Sequence, residues 1–258
     1  MALLPNFKKR HSFPIRAYDI DNQKKVTVPA LVKLMHEAAM NNAIDLKLSV
    51  WDLAPYGVSW VLMRKKITVH RLPEFGEEIQ VQTYPAGFEK FFTYRDYLVY
   101  DAQNQLIAQA ATTWLVMDLK TRKMTRIPKF ILALETPDPA TCLPRLPMKL
   151  PKFGTLDLQQ KFKVGWYDLD FNMHLNNIYY LQWVLETLPD NIMQQYQLKE
   201  MNVLYKLECK WKEEVVCETE QLDEAHFRHR LVRQSDGKEV VQAETKWIAN
   251  DISKIKTG

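Results

Sequence analysis

Residues 164–187 read VGWYDLDFNMHLNNIYYLQWVLET, and the rest of the chain is organised around them. The stretch is a strand end, a polar turn and then an amphipathic helix. Asp168, Asp170, Asn172, His174, Asn176 and Asn177 crowd the turn. Ile178, Leu181, Val184, Leu185 and Leu188 follow at helical spacing, and Pro189 marks the stop. Either Asn176 or Asn177 can cap the helix start. Helix N-termini carry free N–H donors and partial positive charge, which suit an oxyanion. Asp, Asn and His beside such donors are the means for carbonyl chemistry without a metal.

Working back from this stretch, the same order of elements occurs earlier. Residues 12–18 read as a strand and 27–44 as a helix with Thr27 as its cap, Pro29 in its first turn and Leu31, Met35, Ala38 and Ala39 on one face. Strands follow near 58–70, 77–84, 90–101 and 105–118. Pro137, Pro139, Pro144, Pro147 and Pro151 then crowd a segment that reads as an extended linker. Beyond it come a strand near 160–167, the helix 176–188, and strands near 201–211, 214–221, 226–234 and 238–249. Asp236-Gly237 is a hairpin signal.

The two halves also match in residues. Tyr18-Asp19-Ile20-Asp21 aligns with Tyr167-Asp168-Leu169-Asp170, and Glu37 with Glu186. Val61-Leu62 aligns with Val203-Leu204, and Gln109-Ala110, Thr112 and Trp114 with Gln242-Ala243, Thr245 and Trp247. The series implies a duplicated unit. One long helix against antiparallel strands is an α+β unit of the hotdog kind, and two in one chain would be a tandem, or double, hotdog. The expected division is an N-terminal hotdog over 1–135, a Pro-rich linker over 136–158 and a C-terminal hotdog over 159–258. In the alignment Asn172 falls on Gln23 and His174 on Lys25, so neither is needed to build the unit.

At this point the residues resemble the acyl-acyl carrier protein thioesterases of plants and bacteria, over about 12–249. Asp168-Leu169-Asp170-Phe171-Asn172-Met173-His174-Leu175-Asn176-Asn177 carries the family's DLDxNxHxNN. Leu207-Glu208-Cys209 stands where the family has Arg-Glu-Cys, so Leu207 is a departure. Leu119-Lys120-Thr121-Arg122-Lys123 with Ile127-Pro128, Trp60-Val61-Leu62 and Gly76 also fit. The resemblance implies hydrolysis of acyl-acyl carrier protein to a free fatty acid. It carries the catalytic set onto Asp170, Asn172, His174 and Glu208, and puts the acyl chain in a tunnel of the first half. Leu31, Met35, Ala39, Trp60 and Leu62 are the candidates to line that tunnel, against the plainer reading that they are core.

Glu208 would act as base on water. The rival is a Cys209 nucleophile with a covalent acyl-enzyme. In a strand over 201–211, Val203, Tyr205, Leu207, Cys209 and Trp211 share the apolar face and Glu208 lies on the other, so only one of Glu208 and Cys209 reaches His174 unless a bulge intervenes. Lys120, Arg122, Lys123 and Arg126, with Lys129, form a basic run suited to an acidic carrier protein.

Composition bounds the alternatives. A formal net charge of +4 is too small to argue for nucleic acid. Seven glycines and no GxGxxG or GxxxxGK[ST] pattern disfavour a phosphate-cradling fold, and no metal-ligand cluster or cofactor motif stands out. Cys142, Cys209 and Cys217 form no CxxC, which fits a reducing, cytoplasmic setting. No apolar run reaches the ~20 residues of a membrane span. Pro5 and Lys8 interrupt any signal-peptide core, and the lack of a long targeting segment suggests a bacterial source. A homodimer is left open. An acyl-CoA thioesterase of the same fold and a non-catalytic acyl-thioester-binding protein are the alternative functions.

Overall fold

The computed structural model describes residues 8–250, so Pro5 and the outer ends of both expected domains lie outside the described residues. Contacts divide the chain into two units, 1–148 and 149–258.

In the first unit, β1 (Lys9–Pro14) leads to α1 (Val28–Asp45), the short α2 (Val50–Leu53), then β2 (Val58–Val69), β3 (Glu78–Glu89), β4 (Phe92–Tyr100), β5 (Leu106–Asp118), the two-residue β6 (Met124–Thr125) and α3 (Lys129–Leu132). The antiparallel sheet has the order β1-β3-β4-β5-β2, with β6 on β5. Thr27 caps α1 by accepting from Ala30 N–H at 3.2 Å, an interaction worth ~1 kcal/mol. Leu31, Val32, Met35 and Ala38 are buried along α1, which packs on β3 and β1.

The second unit repeats the order. It runs β7 (Leu158–Lys163), α4 (Asn177–Glu186), α5 (Asp190–Gln195), β8 (Tyr196–Tyr205), β9 (Glu214–Asp223), β10 (His226–Arg233) and β11 (Glu239–Ala249), with sheet order β7-β9-β10-β11-β8. Asn176 is the cap of α4, accepting from Ile178 N–H at 3.2 Å. Tyr180, Leu181, Trp183, Val184 and Leu185 make its buried face.

Several expected boundaries move. β3 runs on to Glu89 rather than ending near 84, with a register shift between Pro85 and Gly87. β1 and β7 end early, because Asp19 and Asp168 accept from the N–H groups of Arg16 and Gly165 at 2.9 and 2.8 Å and draw 17–19 and 166–168 into 3₁₀ turns. β8 begins at Tyr196 and stops at Tyr205 rather than running over 201–211. There Lys206 and Leu207 both donate to the single carbonyl of Val240, at 2.9 and 3.2 Å, which ends the ladder. The short α5 was not anticipated; its Asp190 stands just after Pro189.

The proline-rich segment lies against protein rather than hanging free. Asp96 accepts from Leu143 N–H at 2.8 Å, and Arg145 donates to Ala86 O at 2.7 Å while covering the Tyr94 ring. Further on, Gly154 N–H donates to Glu220 at 2.9 Å and Arg228 donates to Lys152 O at 3.0 Å.

Candidate active site

The turn before α4 is built by its own main chain. Asp170 N–H donates to His174 O at 2.7 Å, and Met173 N–H to Asp170 O at 3.0 Å. Asp170 Oδ1 accepts from the N–H groups of Asn172 and His174 at 2.8 and 3.2 Å. Met173 takes φ 62, the left-handed conformation that closes the turn. Asp170 thus bears on the site through the backbone that presents Asn172 and His174.

The first unit contains the same turn. Asp21 N–H donates to Lys25 O at 2.8 Å, Asp21 Oδ1 accepts from Gln23 and Lys25 N–H at 2.8 and 3.1 Å, and Lys24 takes φ 61. The Asp therefore belongs to the shared scaffold, and Asn172 and His174 replace Gln23 and Lys25 on it. The match extends to the facing loop. Val26 N–H donates to Pro73 O and Leu175 N–H to Cys209 O, both at 2.8 Å, so Pro73 corresponds to Cys209 and Leu72 to Glu208. The ladder corrects one pairing: Ala110 stands opposite Ile67 and Ala243 opposite Val203, so Val203 corresponds to Ile67 and not to Val61.

Because β8 stops at Tyr205, strand alternation does not govern the next residues. Leu207 and Trp211 are exposed, whereas Cys209 is fully buried. Glu208 turns toward the motif, with Oε2 3.3 Å from His174 Nε2; the side chains of His174 and Glu208 are 16% and 39% exposed. His174 also bridges Lys210 through the main chain. Asn172 is exposed, two residues from His174. The second unit thus brings His174 and Glu208 together, with Asn172 exposed on the same turn, while the first offers Gln23, Lys25 and Leu72 at the same places.

Two residues that sequence reading did not single out hold the Glu208 loop. Arg233 Nη1 donates to Glu208 O at 2.9 Å while its other nitrogens bind Asp236. Tyr180 Oη accepts from Cys209 N–H at 2.9 Å. Their counterparts explain the second contact: Leu31 stands in place of Tyr180, and Pro73, which has no N–H, in place of Cys209. Burial pushes the Cys209 thiol up to about 11, against the effect of its contact with Tyr180.

Of the candidate acyl-lining residues, Leu31, Met35 and Leu62 are buried, and Ala39 and Trp60 half-buried. Trp60 donates to Leu48 O at 2.8 Å and packs on a cluster of Leu48, Leu53, Val58 and Val116, a core role. A bulge between Leu62 and Arg64 puts Leu62 and Lys65 opposite Trp114 and Thr112, whose side chains share one face. Lys65 meets His36 of α1 at 2.5 Å there, and burial pushes its amine down to about 7. Arg95 on the neighbouring β4 donates to Asn42 at 2.8 Å and Thr83 at 3.1 Å. The face under α1 is therefore partly cationic, which apolar patterning did not reveal. Lys120, Arg122 and Lys123 stand exposed on the turn between β5 and β6, which Asp118 folds by accepting from Lys120 and Thr121 N–H at 3.0 and 2.7 Å. Arg126 is exposed just beyond β6.

Comparison with known proteins bears on this arrangement. Residues 6–134 match the family model for the acyl-ACP thioesterase N-terminal domain, and 155–249 that for the acyl-ACP thioesterase C-terminal domain. The chain belongs to the acyl-ACP thioesterase family. A chloroplastic acyl-[acyl-carrier-protein] hydrolase of Cuphea viscosissima is 28% identical over 257 residues, covering 92% of this chain and 62% of that protein. A chloroplastic palmitoyl-acyl carrier protein thioesterase of Arabidopsis thaliana is 28% identical over 262 residues, covering 92% and 63%. The chain thus spans about three fifths of the length of these curated relatives. Among solved structures, the 12:0-ACP thioesterase from Umbellularia californica superposes with a TM-score of 0.83 at 23% identity, covering 96% of this chain and 99% of that one. An acyl-ACP thioesterase from Bacteroides thetaiotaomicron gives 0.76 at 20%, covering 93% and 98%. The fold of this family member is the α+β double hotdog. Among the described residues no helix is long and apolar enough to cross a membrane, and no group of His, Cys, Asp and Glu could hold a metal.

Proposed function

We propose that the protein hydrolyses the thioester of acyl-acyl carrier protein, releasing a free fatty acid and the carrier. The observation that carries this reading is the His174–Glu208 pair at 3.3 Å in one unit only, on a turn whose twin lacks both residues. The names of the relatives supply the substrate class.

A thioester is already activated, so hydrolysis needs a placed water, a base and donors for the tetrahedral oxyanion. Glu208 takes the proton from water. His174 orients that carboxylate, and the Asn172 amide places the water or the carbonyl. The Ile178 and Tyr179 N–H groups are occupied by Asn176, so the oxyanion falls to the N–H of Asn177 at the start of α4. Asp170 keeps Asn172 and His174 in register. Cys209 is a packed thiol rather than a nucleophile, since it is fully buried and held away from its thiolate form. Leu31, Met35, Ala39 and Leu62 line the acyl chain's site in the first unit, and Lys120, Arg122, Lys123 and Arg126 attract the acidic carrier. A bacterial cytoplasm is the setting we propose, with three unpaired cysteines in support.

The test is thiol release from a panel of acyl-acyl carrier proteins and matched acyl-CoAs. Glu208→Gln should lower kcat by ~10²–10⁴-fold, the usual contribution of a general base. Cys209→Ala should retain turnover. Full activity in Glu208→Gln overturns the assignment, and release from acyl-CoA alone removes the carrier protein as substrate.

A further inference from the structure

The two units offer an internal control for surface residues. Their turns superpose hydrogen bond for hydrogen bond, so an exposed position that changes character between them is not required by the fold. Around the His174–Glu208 pair four of five positions gain a large apolar side chain. Trp166, Phe171, Met173 and Leu207 stand where the first unit has Ala17, Asn22, Lys24 and Arg71, while Trp211 keeps the exposed aromatic character of Phe75. All five are between 40% and 59% exposed.

Main-chain bridges hold the loops that carry these side chains side by side. Trp166 and Trp211 meet edge to face with centroids 5.0 Å apart. Phe171 and Met173 flank Asn172, and Leu207 and Trp211 bracket Glu208 and the Lys210 that bridges His174. Lys212 N–H ties this loop to Val164 O at 3.0 Å. Keeping so much apolar area in water is unfavourable, and contiguous exposed patches of this kind mark contact sites.

The charge around the patch selects the partner. Lys163, Lys210 and Lys212 are exposed beside it, and Lys212 covers the Trp211 ring at 4.1 Å. Of the nearby carboxylates, Asp168 accepts from Gly165 N–H and Glu213 accepts from Lys210 N–H at 2.8 Å and faces Arg233 at 3.7 Å, while exposed Glu214 stands opposite Lys163 in the β7–β9 ladder and leaves Lys210 and Lys212 as the main cations. A second copy of this chain would set lysines against lysines in a two-fold contact. An acidic protein matches both the apolar centre and the cationic rim.

We propose that this rim is where the acidic carrier protein seats to deliver its thioester to His174 and Glu208. The proposal rests on the hydrolase reading above for the identity of the partner. The basic turn at 120–123 is a separate contribution, with its own test.

The experiment measures binding of an acyl carrier protein bearing unacylated phosphopantetheine, by titration calorimetry, to wild type and to Phe171→Ser/Trp211→Ser. Turnover of an acyl-pantetheine, which lacks the protein, is followed in parallel, as is sedimentation. The double variant should weaken carrier binding at least tenfold, as truncating a central aromatic anchor commonly does, and leave acyl-pantetheine turnover unchanged. Lys163→Glu/Lys210→Glu, outside the core, should weaken binding likewise if the first variant folds poorly. Unchanged carrier affinity in both variants overturns the proposal. So does a wild-type dimer that the serine variant dissolves while carrier affinity holds. A wild type that binds carrier at this rim but cleaves no acyl thioester overturns the hydrolase reading and leaves the seat standing.

Discussion

Arg233 and Tyr180 act on the candidate base without touching a reacting atom. Each grips the main chain of the Glu208–Cys209 loop, at 2.9 Å in both cases. Arg233→Met should therefore lower kcat by roughly 10- to 100-fold, the cost of a catalytic group displaced by about an ångström, with little change in KM. Arg233→Lys should recover part of the rate. A KM that rises in step with the fall in kcat, and no recovery in Arg233→Lys, would reduce Arg233 to a structural strut. Tyr180→Phe leaves a buried N–H without its acceptor and should cost about 1–3 kcal/mol of stability in urea unfolding. Asn172 and His174 were legible from the motif and from their absence in the twin turn. Glu208 was legible only through family resemblance, because alternation along an imagined 201–211 strand would have left it on a solvated face. Arg233 and Tyr180 were not legible, since their partners are backbone atoms 25 and 29 residues away.

The duplicated element carries polar side chains into both sheets. In the second unit His229 of β10 sits between Thr219 at 2.8 Å and Thr245 at 3.0 Å, and burial pushes its pKa down to about 3. In the first unit Thr83, Tyr97 and Thr112 take these places. A folded-state pKa below the ordinary histidine value of 6.5 means that the unfolded chain binds the proton better. Stability from the neutral imidazole is therefore full above pH 6.5 and lost progressively as pH falls toward about 3. His229→Gln should flatten the thermal-unfolding profile across that window, even if its Tm at pH 7 is lower. An unchanged acid slope would show that carboxylates alone set it. Lys65, pushed down to about 7 from 10.5, has its window higher, losing stability as pH falls between those values. Lys65→Met should raise Tm at pH 7, and the gap over wild type should close toward pH 10.5. The order of strands and helices was legible, because two periods recur twice in one sequence. The strand ends were not: Asp19 and Asp168 end β1 and β7 by side-chain hydrogen bonds, and Val240 ends β8 by accepting twice. Periodicity registers neither.

At the scale of the whole chain the charge is modest, +4, and its placement decides more than its sum. Cations concentrate on the β5–β6 turn, where Asp118 spends its carboxylate on the turn's own N–H groups and Lys120 and Lys123 stand exposed on either side of Arg122. An exposed cluster of this kind steers an acidic partner over distances that salt screens. Raising ionic strength from about 0.1 M to 1 M shortens the screening length from ~10 Å to ~3 Å. The KM for acyl-acyl carrier protein should accordingly rise steeply with salt, while that for acyl-pantetheine, which has no acidic protein to steer, should hardly move. Lys120→Glu/Lys123→Glu should reproduce the high-salt KM at low salt and lose most of the remaining salt dependence, with kcat intact. Should the charge-reversed protein keep the wild-type salt slope, the steering comes from elsewhere. The lysines around the Trp166–Trp211 rim would then be the cations that meet the carrier, and Lys163→Glu/Lys210→Glu would take over the slope.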